Sequence, residues 1–275
     1  MNVSIIVPVY NQPDKLNRLL AYYSGCEDIN LIVVDDNSHL LCAEQHKNMC
    51  VEYGAKYYFL DKNQGPSTVR FVGLSKSFSR YVLFLDTDDL FPISSLKISL
   101  SLLHRDENLS YITCQSSRVV SDVIDEVAYN KGMYDVNGEY TYRFLKSSFL
   151  RSIFEIIGYP TACVSGWNQS NTIYKRDRIL EVYNIWNLAW AEDIPLKVQV
   201  ASMLHGAALL SDKTNLSLVE ISNGRGYKYG VVKILALANT LLFLTSNRVT
   251  FLGLVRFLCV ILRFTPSMLY KKLSS

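Results

Sequence analysis

The chain has 275 residues, room for one α/β domain of about 200 residues and an appendage. Apolar residues make up 49% and charged residues 19%, a composition that builds a core and excludes a disordered chain. The net charge of +3 hides an asymmetry: residues 224–275 carry eight Lys/Arg and no acid, while residues 1–223 carry 20 Lys/Arg against 25 Asp/Glu, so the body is expected to bind no nucleic acid and the tail to meet an anionic surface.

In chain order, Val3 to Val9 is an apolar run without alternation, the pattern of a parallel strand covered on both faces. Starting so near residue 1, with no basic leader, it reads as a first strand and not a signal peptide, so a cytoplasmic enzyme is expected. Leu16, Leu19, Leu20 and Tyr23 then repeat at helical spacing, with Pro13 in the first turn. Leu31–Val34 is a second buried strand running into Asp35-Asp36-Asn37-Ser38, a polar turn with a candidate helix cap. A helix over about Leu41–Tyr53, stopped at Gly54, precedes a third strand at Lys56–Leu60. Asn63-Gln64-Gly65-Pro66-Ser67 opens a helix with Phe71, Leu74 and Phe78 on one face. Tyr81–Leu85 is a fourth strand, followed by Asp86-Thr87-Asp88-Asp89 and a helix capped by Ser94 or Ser95. Tyr111–Cys114 is a fifth.

Beyond this the pattern blurs. Residues 116–166 read as an insertion lining an acceptor side, helical near Tyr140–Ile157. Asn171–Tyr174 reads as a short strand, Arg178–Trp186 and Ile194–Leu204 as helices, and Ala207–Ile221 as strand and hairpin. Strands alternating with helices give a doubly wound, mostly parallel α/β sheet whose ligands bind beyond the carboxyl ends of the strands. The acidic clusters stand at the ends of strands two and four.

Asp86, Asp88 and Asp89 lie within four residues and repel one another unless a cation sits among them. Hard oxygen ligands suit Mg²⁺ or Mn²⁺, which can bridge a diphosphate. The alternative is an acidic turn capping the next helix. Asp35-Asp36 offers a carboxylate to a base or ribose, or else an N-cap. Pro8, Tyr10 and Asn11 form a loop that could cradle a base. Arg70, one turn into its helix, could reach a base or phosphate, or be a solvated charge. Glu192 and Asp193, at the head of an apolar helix, offer a general base or merely complement the helix dipole.

Taken together, VSIIVPVYN, LIVVDDNS, NQGPSTVRFVGL, YVLFLDTDDLFP and AWAEDIPLKVQV resemble the family-2 glycosyltransferases of the GT-A fold, of the type that builds bacterial surface polysaccharide. The resemblance implies that Pro8, Tyr10 and Asn11 line the nucleotide pocket. It implies that Asp36 holds the base, usually uracil, with Arg70 helping, and that Asp86 contacts ribose or the metal's surroundings. Asp88 would ligate Mn²⁺ or Mg²⁺, with Asp89 competing for that role. Asp193 would be the catalytic base and Glu192 its neighbour. The implied reaction is transfer of a hexosyl unit with inversion, from a nucleotide diphosphate sugar, most often a UDP-sugar, to a hydroxyl of a glycan or lipid-linked acceptor. Three features depart from the pattern, one of them that residues 116–166 carry no signature of the family. The His many relatives carry after the acidic pair is missing from Leu218–Gly224, which leaves Arg225 or Lys228 for phosphate, and the helix start is altered at Gly65-Pro66-Ser67-Thr68.

The catalytic domain is expected over residues 1–224, split near 115 into a nucleotide-sugar half and an acceptor half, with a basic, apolar, helical appendage at 225–275. Arg248, Arg256 and Arg263 recur at two-turn spacing in that tail. The stripe suits a helix lying in an anionic membrane interface, at the inner face of the plasma membrane, or a helical pair packed on the body. The six cysteines form no CxxC pair and are expected as free thiols. Other readings are an inactive or regulatory sugar-nucleotide-binding protein and a nucleotidyltransferase. The latter wants a glycine-rich basic loop after strand one, where Tyr10-Asn11-Gln12-Pro13 stands.

Overall fold

The computed structural model describes residues 2–119, 141–145, 169–185, 196, 200, 203–210 and 216–220. Ten strands are found among them: β1 Val3–Val9, β2 Ile29–Asp35, β3 Lys56–Phe59, β4 Tyr81–Phe84, β5 Tyr111–Cys114, β6 Ser116–Val119, β7 Thr141–Leu145, β8 Thr172–Lys175, β9 Gly206–Leu210 and β10 Ser217–Glu220. The helices are α1 Pro13–Tyr23, α2 Leu40–Glu52, α3 Pro66–Lys76, α4 Ile93–Arg105 and α5 Arg176–Val182. Eight strands form one sheet in the order β3-β2-β1-β4-β8-β5-β9-β7, and β10 pairs with β6 in a second. β1, β2, β3 and β4 run parallel; β8 is antiparallel to β4 and β5, and β7 to β9. The sheet is thus parallel through β3-β2-β1-β4 and mixed beyond it.

β1, third from one edge of the sheet, packs against both parts of the core. Its alternate residues Val3, Ile5, Val7 and Val9 pack with Leu16, Leu19 and Leu20 of α1 and Leu96, Leu100 and Leu103 of α4. Ile6 faces the other way, toward Val69 and Leu74 of α3 and Ile179 and Val182 of α5. The period-two alternation of a strand decides this partition. It explains why the run is apolar but for Ser4, whose buried hydroxyl donates to that of Ser79 at 2.9 Å: the core covers both faces.

Several expectations are corrected. Neither Ser94 nor Ser95 caps α4; Pro92 stands at the N-cap position, and Ser95 is buried in the first turn. Phe78 lies past the end of α3 and is 86% exposed. Thr141–Leu145 is a strand, where helix was expected from Tyr140; Thr, Tyr and Phe at near-alternate positions favour the pleated surface. Gly206–Leu210 and Ser217–Glu220 make no hairpin. They run parallel to β5 and β6 respectively, because residues 111–119 pass from one sheet to the other at Gln115 and the later segment follows them. The appendage expected at 225–275, and all of residues 186–195, lie outside the described residues. Among the described residues no helix is long and apolar enough to cross a membrane, and Cys26, Cys42, Cys50 and Cys114 are free thiols.

Candidate active site

The chain passes from β1 to β2 and β3 on one side, then returns to place β4 on the other side of β1. The β1/β4 boundary is therefore the topological switch point, where the loops after two adjacent parallel strands diverge and leave a crevice. Tyr10-Asn11-Gln12 leaves β1 there and Asp86–Asp89 leaves β4.

The carboxylates of Asp86, Asp88 and Asp89 each offer an oxygen within 4.8 Å of the others. A tight turn folds them together, the Asp89 N–H donating to the Asp86 carbonyl at 3.1 Å. Leu90 pairs with Leu218 through two backbone hydrogen bonds of 2.9 and 2.8 Å, so β10 holds the far end of the turn. The loop is braced from α1 as well. Arg18 donates to the Thr87 carbonyl at 3.3 Å, the Thr87 hydroxyl donates to the side-chain oxygen of Gln12, and Lys15 Nζ stands 3.7 Å from Asp88 Oδ2. Three convergent carboxylates beside cationic side chains are a donor set that fits a hard divalent cation.

Arg70 is buried and donates to Asp86 Oδ1 at 2.6 Å. A guanidinium that deep needs a carboxylate partner. The helix carrying Arg70 starts from the loop that Asp36 holds. The Gln64 and Gly65 N–H groups donate to Asp36 Oδ1 and Oδ2 at 2.7 and 2.9 Å, and the Asn63 side chain donates to its carbonyl at 3.1 Å. Gly65, at φ +80°, takes a backbone conformation that costs other residues energy. Asp36, the 63–65 loop, Arg70 and Asp86 thus form one connected unit across the ends of β2 and β4. Burial pushes the Asp36 carboxyl up, the two backbone N–H groups oppose this, and the charge of Asp35 adds to it. A carboxylate has about four lone-pair directions, so Asp36 keeps capacity to accept from a ligand.

Pro8 is half-buried near the end of β1, and Tyr10 is 46% exposed with its ring 6.4 Å from that of His39. Asn11, at φ +53°, receives at its Oδ1 the His39 N–H at 2.8 Å. Pro8, Tyr10, Asn11, Asp36, Asp86, Asp88 and Asp89 therefore stand at the carboxyl ends of β1, β2 and β4, and Arg70 reaches the same end from α3. Glu192, Asp193, Arg225 and Lys228 lie outside the described residues.

Sequence reasoning missed Lys15, Arg18 and Gln12. The spacing of Lys15 and Arg18, i and i+3 on a helix that begins at the first strand's loop, was an available signal. It also missed the division between the paired acids. Asp35 is wholly buried, accepting from His46 Nδ1 at 2.7 Å, the Tyr57 hydroxyl at 2.9 Å and the Ser38 N–H at 2.8 Å.

Comparison with known proteins agrees with this geometry. The sequence model described as glycosyl transferase family 2 matches residues 4–167, more than half of the chain. An uncharacterized glycosyltransferase of Haemophilus influenzae is 35% identical over 104 residues, 37% of this chain and 42% of that one. The minor teichoic acid biosynthesis protein GgaB of Bacillus subtilis is 34% identical over 96 residues, 32% of this chain and 10% of that one. The matches thus span less than half the length of these curated relatives. Among solved structures, S. aureus TarS 1-349 in complex with UDP-GlcNAc superposes with a TM-score of 0.56 at 20% identity, covering 96% of this chain and 80% of that one. That likeness is one of fold, the GT-A arrangement.

Proposed function

The chain belongs to glycosyl transferase family 2, and on that premise we propose that it is a metal-dependent, inverting hexosyltransferase. It moves a sugar from a nucleotide diphosphate donor, most simply a UDP-sugar, to a hydroxyl of a glycan or lipid-linked acceptor in the making of a surface polysaccharide. The observation that carries this reading is the convergence of Asp86, Asp88 and Asp89 at the end of β4, joined through Arg70 to the Asp36 loop. The teichoic acid relative supports the polymer class, and the fold shared with a protein held in complex with UDP-GlcNAc supports the donor class.

In this mechanism Tyr10 covers one face of the base, Pro8 and Asn11 shape the pocket, and Asp36 accepts a base N–H with its remaining lone pairs. Arg70 holds Asp86 so that its free oxygen faces the ribose. Asp88, with Asp89 beside it, would hold Mn²⁺ or Mg²⁺, which when bound neutralises the charge of the departing diphosphate. Lys15 leaves Asp88 for the phosphates as the site fills. Asp193, neighboured by Glu192, takes the proton of the acceptor hydroxyl as that oxygen attacks the anomeric carbon and the bond to the diphosphate breaks. Residues 1–224 form the catalytic unit, and 225–275 rest at the inner face of the plasma membrane.

Donor hydrolysis is the direct test. With Mn²⁺ and a panel of UDP- and GDP-sugars, the purified protein releases nucleoside diphosphate. Asp88→Ala loses Mn²⁺-dependent donor binding and turnover, by about 10²-fold or more for the loss of a charged ligand to the transition state. Asp193→Asn keeps donor binding and loses transfer. Transfer at the parent rate by Asp193→Asn would remove that residue from the base role, and undiminished Mn²⁺ binding by Asp88→Ala would remove the metal site.

A further inference from the structure

We propose that His46 is a positioning residue for the nucleotide pocket, acting through Asp35 on the loops that carry Tyr10 and Asn11; this rests on the donor-binding reading above. His46 lies on α2, wholly buried, and none of the roles assigned so far uses it. Its Nδ1 meets Asp35 Oδ2 at 2.7 Å. The Tyr57 hydroxyl, from the edge strand β3, reaches the same oxygen at 2.9 Å.

The other oxygen of Asp35 accepts the Ser38 N–H at 2.8 Å. The Ser38 hydroxyl accepts the Asn11 N–H at 2.8 Å, and Asn11 Oδ1 accepts the His39 N–H at 2.8 Å. A continuous chain therefore runs from His46 in the core to Asn11, beside Tyr10. Both non-glycine residues with positive φ among the described residues, Asn11 at +53° and Asn37 at +63°, sit in the two loops this chain joins. Such conformations persist only where their surroundings over-determine them, and Asp35 is the group that fixes the turn from behind.

A residue serving only to fill the core would leave no polar atom stranded. His46 Nε2 has no hydrogen-bond partner among the described residues, and a buried unsatisfied nitrogen carries an uncompensated desolvation cost. An apolar side chain of similar size would avoid that cost. What histidine supplies here is the Nδ1 hydrogen bond to Asp35. Asp35 in turn is held ionised: burial pushes its carboxyl up, but hydrogen bonds from His46, Ser38 and Tyr57 outweigh it and the balance lies below the ordinary value.

The test compares His46→Leu, His46→Asn and Tyr57→Phe with the parent by calorimetric titration of UDP at saturating Mn²⁺, with thermal unfolding on the same samples. His46→Leu removes the donor and weakens UDP binding by about tenfold, the scale of one hydrogen bond to a charged group. His46→Asn, which places an amide N–H near the Nδ1 position, stays within about threefold of the parent. Tyr57→Phe, which removes a single hydroxyl from a half-buried ring, weakens binding by about threefold. The donor KM rises by the same factors while kcat changes less than about twofold. A purely structural histidine would lower the unfolding midpoint in His46→Leu and His46→Asn alike and leave UDP affinity untouched in the folded fraction. That result overturns the inference, as does full affinity in Tyr57→Phe together with equal losses in the two His46 variants. A parent protein that binds no UDP overturns the donor-binding reading itself, and the inference with it.

Discussion

At the scale of single residues, Asp35 and Asp36 show how far neighbours can diverge. Asp35 ends β2 on its inward side and is held below the ordinary carboxylate value, burial being outweighed by its three partners. Asp36 faces the loop before α3, and its carboxyl is raised, chiefly by burial. The sign of the linkage follows for each. A carboxyl depressed in the folded state contributes stability above its unfolded value, near 3.8, and that stability is lost as pH falls through the folded value. Asp36, raised, acts in the opposite sense, favouring the folded state below its unfolded value and losing that contribution as pH rises. In Asp35→Asn the thermal midpoint is therefore lower at neutral pH and falls less steeply than the parent's from about pH 5 to about pH 3; parallel curves for the two proteins would remove Asp35 from this role. Burial and the charge of Asp35 also push the nearby Cys50 thiol up to about 12. It stays a thiol at neutral pH and reacts slowly with alkylating reagents.

At the scale of elements, α3 is the part on which the site depends. It carries Arg70, and the loop at its head is gripped by Asp36. Its close seat on the sheet is made possible by Gly73, where an added Cβ would stand 2.3 Å from Ile6 Cγ2. Alanine is the better helix former by about 1 kcal/mol, yet the clash is with a fully buried residue of β1. Gly73→Ala is therefore expected to destabilise the protein by about 1–3 kcal/mol, as overpacked cores do, measured as a lower denaturation midpoint at unchanged slope. A gain in stability would mean that α3 can ride outward freely. The segments of the sequence that became α1, α2 and α3 were legible because helical periodicity, Pro13 or Pro66 at the start and Gly54 at a stop are local signals. Tyr111–Cys114 was legible as a strand in the same way, but the partners of Ser116–Val119 and of the segment 206–220 were not, because which of two sheets a short strand joins depends on what runs beside it.

At the scale of the whole molecule, net positive charge and apolar character coincide in residues 224–275, with eight Lys/Arg and no acid. Removing 231–275 is expected to abolish co-sedimentation with anionic liposomes, and salt well above 0.15 M to weaken it in the intact chain, since the Debye length then drops below about 8 Å. Equal sedimentation with and without the segment would confine it to contacts with protein.

The sequence by itself determined the first half of the sheet and the acids at its edge. Continuous apolar runs, helical spacings and a run of three acids in four residues are all short-range features, and a turn of four residues brings its own carboxylates together whatever surrounds it. The pairing of Arg70 with Asp86, Lys15 with Asp88 and His46 with Asp35 was decided by tertiary structure alone. Each joins different elements: His46 on α2 meets the end of β2, and the meeting of the other two pairs depends on β4 returning to the far side of β1. So does the placing of Thr172–Lys175 antiparallel between β4 and β5: a buried strand of four residues carries no mark of direction, which is set by the path of the chain that delivers it.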